Sequence, residues 1–265
     1  MDPTAQFKEQ QKAAWANFAL FENLTGTVAP RLVSFAGIKA GAKVRDVGCG
    51  TGVVGLTAAR LGARVTGVDL TPELIAHAKE NSALMRLEAE WRQGDAEALP
   101  LPDETFDFVV SQFGHMFAPR PDVAIREMLR VLKRGGGIAF ATWPPEMFVG
   151  RMFALTGKYA PPPPAGVSPP GQWGDVSLVR ERLGTAVKDL TFARDAMLLQ
   201  MLSVQHYRLF METNFGPAQK LIQGLDKSDP AKANALRREL EQLAAEYFAD
   251  NVLRQDYLLT RAVKI

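Results

Sequence analysis

The stretch Arg45-Asp46-Val47-Gly48-Cys49-Gly50-Thr51-Gly52-Val53 decides how this chain folds. It follows Lys43-Val44, which reads as strand, and leads into Val54-Gly55-Leu56-Thr57-Ala58-Ala59-Arg60-Leu61, which reads as helix. A glycine-rich turn between a strand and a helix is where an α/β sheet grips a nucleotide-like ligand. Glycine lets the backbone turn sharply and approach the ligand with no side chain in the way. The acid in this turn, Asp46, points to a ligand with positive charge rather than a diphosphate.

Outward from the turn, strands and helices alternate. Arg64-Val65-Thr66-Gly67-Val68-Asp69 is a second strand that ends in an acid. Thr71-Pro72-Glu73 opens a helix, with an N-cap threonine, a first-turn proline and a first-turn acid. Residues 89–93 make a short third strand, and Phe106-Asp107-Phe108-Val109-Val110-Ser111 has the apolar continuity of a buried parallel strand. A helix over 122–132 is expected to stop at Lys133-Arg134-Gly135-Gly136-Gly137, before a fifth strand at 138–142. This alternation predicts an α/β fold with a mostly parallel sheet and right-handed crossovers.

The flanks differ. Residues 5–38 read as helical around Trp15, Phe18 and Phe21. Beyond Trp143, Pro144-Pro145, Pro161-Pro162-Pro163-Pro164 and Pro169-Pro170 predict an irregular or extended stretch over 144–175, though one rich in Met, Phe, Trp and Tyr. Residues 176–184 and 204–214 read as helix, 192–202 as strand, Asp229-Pro230 opens a helix to about 248, and 257–265 closes the chain as a strand.

A chain of 265 residues with 47% apolar content suits one sizeable domain. Thirty-one basic and 29 acidic side chains leave a net charge of +2, which gives no footprint for nucleic acid or anionic membrane. The single cysteine excludes an internal disulfide and cysteine-rich metal sites. No apolar run approaches the roughly 20 residues that span a bilayer. The polar N-terminus has no signal-peptide core, so the expected location is cytoplasmic.

Two readings compete for the turn. Gly50-Thr51-Gly52-Val53-Val54-Gly55 matches the dinucleotide fingerprint, with Asp69 at the distance of a ribose-binding acid. The wider string Asp46-x-Gly48-x-Gly50-x-Gly52 resembles the first motif of class I S-adenosylmethionine-dependent methyltransferases. The segment from Gly94-Asp95-Ala96 through Phe106-Asp107 resembles that family's adenine-contact turn and entry to strand 4. Glu127 to Gly136 resembles its helix into strand 5, with Arg134 where a proline is usual. The branch resembled is the ubiquinone/menaquinone-biosynthesis type of small-molecule methyltransferase. The likeness is specific over about residues 40–142, loose over 1–39 and weak over 143–250.

The resemblance implies a Rossmann-like, seven-stranded sheet with an antiparallel last strand, and S-adenosyl-L-methionine as cofactor. It implies one methyltransferase domain over 1–265: an N-terminal helical lid to 39, a cofactor core to 142, a cap and acceptor insertion to 215, then a C-terminal helix and strand. By the same resemblance Gly48, Cys49, Gly50, Thr51 and Gly52 lie under the cofactor's methionine and ribose. Asp46 faces its cationic end, Asp69 takes both ribose hydroxyls, and Leu70 packs on adenine. Asp95, with Ala96 beside it, accepts from the adenine amine, and the Ser111 carbonyl takes the ammonium.

His115 follows strand 4 at the ligand-binding edge and is the candidate general base or acceptor-orienting group; its other reading is a histidine of the cofactor wall. His77 reads as surface. His206 and Tyr207 fall in the cap, within reach of an acceptor or simply packed there. Ser111-Gln112-Phe113-Gly114 lacks the Asn/Asp-Pro-Pro-Tyr of nucleic-acid amino-methyltransferases and the paired glutamates of the arginine-directed ones. A small molecule, apolar or aromatic, is the expected acceptor. An NAD-linked oxidoreductase and a cofactor-binding protein without catalysis are the rival readings.

Overall fold

The computed structural model describes residues 3–265. Its centre is one sheet. Strands β1 (Lys43–Val47), β2 (Arg64–Asp69), β3 (Glu90–Gln93), β4 (Phe106–Gln112) and β5 (Leu132–Thr142) run parallel, and β6 (Val187–Gln200) and β8 (Val252–Lys264) complete it in the order β3-β2-β1-β4-β5-β8-β6. β8 runs antiparallel to both its neighbours, and a two-residue β7 (Phe248–Ala249) pairs back onto it. The expected fold class is found, with the last strand inserted between β5 and β6. Ile138, Phe140, Leu258 and Thr260 are all buried in that seam.

Right-handed crossovers decide where the helices go. Strand order moves one way from β1 to β3 and the other from β4 to β5, so the helices between them fall on opposite faces. α3 (Ala29–Ala36) and α4 (Val53–Arg60) pack together on one face, and α5 (Pro72–Met85) follows β2. On the other face lie α6 (Pro121–Val131) and α8 (Val176–Leu183). Trp91 of β3 is the wedge under α4. A Cβ at Gly67 would lie 2.3 Å from its indole, one at Gly55 2.8 Å and one at Gly52 2.7 Å. The indole nitrogen donates to Ser82 Oγ of α5 at 2.7 Å.

Helices α1 (Pro3–Trp15), α7 (Phe148–Tyr159), α9 (Val204–Asn214), α10 (Gly216–Ser228) and α11 (Pro230–Ala245) form a cap, with α2 (Glu22–Thr25) bridging to the sheet edge. The expected irregular stretch over 144–175 is corrected here. Its prolines flank a twelve-residue helix, α7, instead of dissolving one, since 146–160 contains none. α10 also went unread. Conversely, β6 takes part of the expected cap into the sheet. α6 ends at Val131, and the glycines after it enter β5 directly, with Gly135 at φ 73°.

Candidate active site

The carboxyl ends of β1, β2 and β4 open into a cleft lined by Gly48, Cys49, Gly50, Thr51, Asp69 and Leu70. Gly94, Asp95 and Ala96 extend it past β3. Eight of these nine are positions that the sequence singles out as cofactor contacts, brought together from three separate segments. The turn can be this tight because Gly48 (φ 64°) and Gly114 almost touch: a Cβ on Gly114 would sit 2.4 Å from the Gly48 carbonyl oxygen. Gly50 (φ 53°) faces open space, so backbone rather than side chain forms the floor.

Asp69 is fixed by two backbone amides. Gly50 N–H donates to Oδ2 and Thr71 N–H to Oδ1, each at 2.9 Å. The Thr71 hydroxyl adds to these bonds, and the roughly four acceptor sites of a carboxylate still leave room for a ligand. Burial pushes the carboxyl above its ordinary range, and the amide bonds pull against that. Asp95 accepts from Glu97 N–H on Oδ1 at 2.9 Å and from Lys8 Nζ on Oδ2 at 2.6 Å. Lys8 also holds the buried Glu97 at 2.6 Å, which Arg120 holds from the other side.

The N-terminal segment, expected as a helical lid, supplies individual cleft residues that the sequence did not point to. Lys8, Gln11, Trp15, Phe18, Glu22 and Thr25 recur every three or four residues and line the cleft from one end to the other. That spacing was the available signal. Its polar members put it outside a hydrophobic-face search. Gln112 Nε2 donates to the Thr25 carbonyl at 2.8 Å, which aims Oε1 the other way, buried and without a partner among the described residues. Glu22 accepts from Asn81 Nδ2 on Oε2 at 2.7 Å, and its Oε1 has no partner among the described residues.

Four expected site residues lie elsewhere. Asp46 is buried beneath the turn, its Oδ2 accepting from Gly55 N–H at 2.9 Å, and burial pushes its pKa up to about 7. It braces the start of α4 and does not line the cleft. Gly52 caps α4 in the left-handed region (φ 88°) and makes room for Trp91. Ser111 Oγ donates to the Val47 carbonyl at 2.6 Å and accepts from His115 N–H at 3.1 Å, so it staples β1 to the turn after β4. Gln112 and Phe113 are the cleft-lining residues there.

His115 corrects the expectation most sharply. It is fully buried between Phe140 and Trp173, with ring centroids at 4.7 and 4.6 Å, and neither ring nitrogen has a partner among the described residues. Burial, helped by the Arg182 charge, pushes its pKa down to about 3. The 3-10 turn after β4 points its ring into the core rather than the cleft. His77 is on the surface beside Glu80, and His206 is exposed. The Cys49 thiol, pushed well up by burial, lines the cleft as an apolar group.

Behind the cleft lies a second cavity of about 820 Å³. Phe7, Phe153, Met211, Phe215, Leu221 and Leu240 give it an apolar wall. Gln11, Trp15 and Phe117 line both spaces. Tyr207 is buried in the chamber wall, its hydroxyl against Met152 Sδ at 3.6 Å. Arg208, the chamber's cation, is tied to Glu241 at 2.7 Å and Glu212 at 2.8 Å.

Residues 45–140 match the family described as a methyltransferase domain. The chain is 36% identical over 257 residues to an uncharacterized protein, Rv1405c, of Mycobacterium tuberculosis, covering 96% of this chain and 93% of that one. It is 38% identical over 131 residues to a phosphatidylethanolamine N-methyltransferase of Cereibacter sphaeroides, which covers 47% of this chain and 64% of that one. Among solved structures, the YcgJ protein of Bacillus subtilis superposes with a TM-score of 0.60 at 19% identity, covering 90% and 98% of the two chains. The strand order, the glycine turn and these likenesses lead to one conclusion: residues 45–140 of the chain form a methyltransferase domain, in the class I S-adenosylmethionine-dependent fold.

Proposed function

We propose that the cleft binds S-adenosyl-L-methionine and that the chamber behind it holds a small, apolar or aromatic acceptor for the methyl group. The observation that carries this reading is the pairing of an acid-lined cleft with an apolar chamber across one shared wall. Glu22, Asp69 and Asp95 line the cleft against a single lysine, Lys8, which is itself paired. A singly cationic cofactor suits that charge, and the diphosphate of a dinucleotide is repelled by it. The fit extends to atoms. Asp69 has acceptor capacity for a vicinal diol, and the orphaned Gln112 Oε1 with the open Glu22 Oε1 provides acceptors for an ammonium.

Bound there, the cofactor supplies an electrophilic methyl that needs no activation by the protein. This chain's task is to align, to exclude water and to leave a path. Gly48 and Gly50 let the backbone come close, and Asp69 fixes the ribose. Trp15, Phe18, Phe113 and Phe117 keep the cleft dry. Among the described residues no ionisable side chain sits in the shared wall, and His115 is sealed in the core. Gln11, whose amide has no hydrogen-bond partner among the described residues, is the polar group placed to orient an acceptor. The chamber's arginine is neutralised by two carboxylates, which favours an uncharged acceptor.

The test is calorimetric titration with S-adenosylmethionine, S-adenosylhomocysteine and NAD. Both sulfur compounds should bind and NAD should not. Asp69→Ala, which leaves two hydroxyls without their shared acceptor, should weaken binding at least roughly tenfold. Preference for NAD, or an unchanged affinity in a folded Asp69→Ala protein, would refute the assignment.

A further inference from the structure

We propose that Trp15 and Phe117 form the aromatic edge of the aperture between cleft and chamber, that this edge recognises the sulfonium charge of the cofactor, and that the methyl is transferred past it to the acceptor. This rests on the cofactor reading above. The cleft and the chamber share three side chains, Gln11, Trp15 and Phe117. Methyl transfer runs in a straight line from sulfur to the accepting atom, with the reacting atoms about 3–3.5 Å apart. Donor and acceptor must therefore meet at the wall common to both spaces, and this is that wall.

The course of the N-terminal segment fixes the order of contacts. Lys8 is held by Asp95, at the end of the cleft beyond β3. Glu22 and Thr25 sit at the other end, where Asn81 joins Glu22 to the Thr51 carbonyl and Gln112 reaches the Thr25 carbonyl. Trp15 falls between them. In the cofactor, the sulfur likewise falls between the adenosine and the amino acid, so the middle of the cleft is the sulfonium's place. Trp15 and Phe117 stand there with ring centroids 4.7 Å apart and planes tilted by 57°. Phe18 and Phe215 buttress Trp15 edge-on at 5.2 and 5.6 Å, which keeps the indole in place without covering it from the cleft.

An aromatic face attracts a cation through its quadrupole and holds a neutral thioether only by contact area. The aperture therefore distinguishes the charged donor from its uncharged product. It binds the substrate form in preference and releases S-adenosylhomocysteine after transfer. No side-chain carboxylate in the shared wall does this instead.

The experiment is isothermal titration of the full chain with S-adenosylmethionine and, separately, with S-adenosylhomocysteine. Trp15→Leu should lose roughly 3- to 30-fold more affinity for the sulfonium than for the thioether. Trp15→Phe should keep most of the discrimination. An equal loss for both ligands, or none, would overturn the proposal, because a merely packing role moves both together. If Trp15→Leu binds neither ligand, the same ratio measured on Phe117→Leu decides. A wild-type protein that binds neither ligand overturns the aperture together with the cofactor reading; normal wild-type binding with an unaltered ratio in the variants overturns the aperture alone.

Discussion

His115 shows what a single residue's surroundings do to its chemistry. An imidazole between Phe140 and Trp173, with both nitrogens unpaired, is held neutral, its pKa pushed to about 3 from the ordinary 6.5. The folded state therefore refuses a proton that the unfolded chain accepts. Stability from this residue is full above about pH 6.5 and is lost as pH falls toward 3. His115→Phe removes that loss and two orphaned polar atoms. Thermal melts should show the variant gaining on wild type by more at pH 5 than at pH 8, with S-adenosylhomocysteine affinity unchanged. A tenfold loss of affinity would restore His115 to the site. Asp46 has the opposite sign. Its folded pKa of about 7 lies above the ordinary 3.8, so its burial costs stability as pH rises from about 4 to 7. Asp46→Asn keeps an acceptor for Gly55 N–H, and its melting temperature relative to wild type should rise from pH 5 to pH 8. Both residues stand where the sequence placed them along the chain, Asp46 near the end of a strand and His115 in the turn after one. What it could not show is the side of the backbone from which each side chain leaves, and that alone decides between cleft and core.

Among the elements, the glycines divide the turn's work in a way that no motif string reveals. Gly50 is open to the ligand, Gly48 and Gly114 touch each other, and Gly52 and Gly55 yield space to Trp91. The dinucleotide-like spacing of Gly50, Gly52 and Gly55 thus has a packing cause in two of its three members. Gly114→Ala would drive a methyl to within 2.4 Å of the Gly48 carbonyl oxygen, against backbone that cannot turn aside. A cost of several kcal/mol is about the scale of such overpacking, so its melting temperature should fall by many degrees and the cofactor site should distort with it. A melt within a degree of wild type would show that the two turns can part. The parallel core from β1 to β5 was legible because apolar strands, caps and glycine stops agree there. The proline-rich part was misread for a physical reason: prolines at 144–145 and 161–164 bound α7 rather than interrupt it. α10 is amphipathic, with Leu221, Ile222 and Leu225 on one face, but Gly216-Pro217 at its start and Gly224 inside it are turn signals that mask a helix.

At the scale of the whole molecule, the sheet is fixed and the cap is where access must be granted. Lys8 links α1 to Asp95 and to the buried Glu97, both at 2.6 Å, which closes the cleft at one end. Trp15 closes its middle, and Glu22, through Asn81, its far end. The N-terminal segment thus covers the direct route into the cleft, and α1 rests on α10, the same helix that walls the chamber. Cofactor and acceptor therefore press on one connected cover. Lids of this kind keep water from a reactive centre and order when the site fills. Hydrogen exchange should show residues 4–25 and the chamber wall over 145–175 gaining protection when S-adenosylhomocysteine binds, while β1, β4 and β5 stay unchanged. Lys8→Ala should raise exchange in α1 of the free protein and widen its contrast with the bound one, because the variant removes the tie but leaves the aromatic contacts that close on the ligand. If neither segment responds to ligand, the cover is a rigid wall. Entry must then lie on the chamber side, between α7 and α10, and the Lys8 pairs serve only to hold the N-terminus in place.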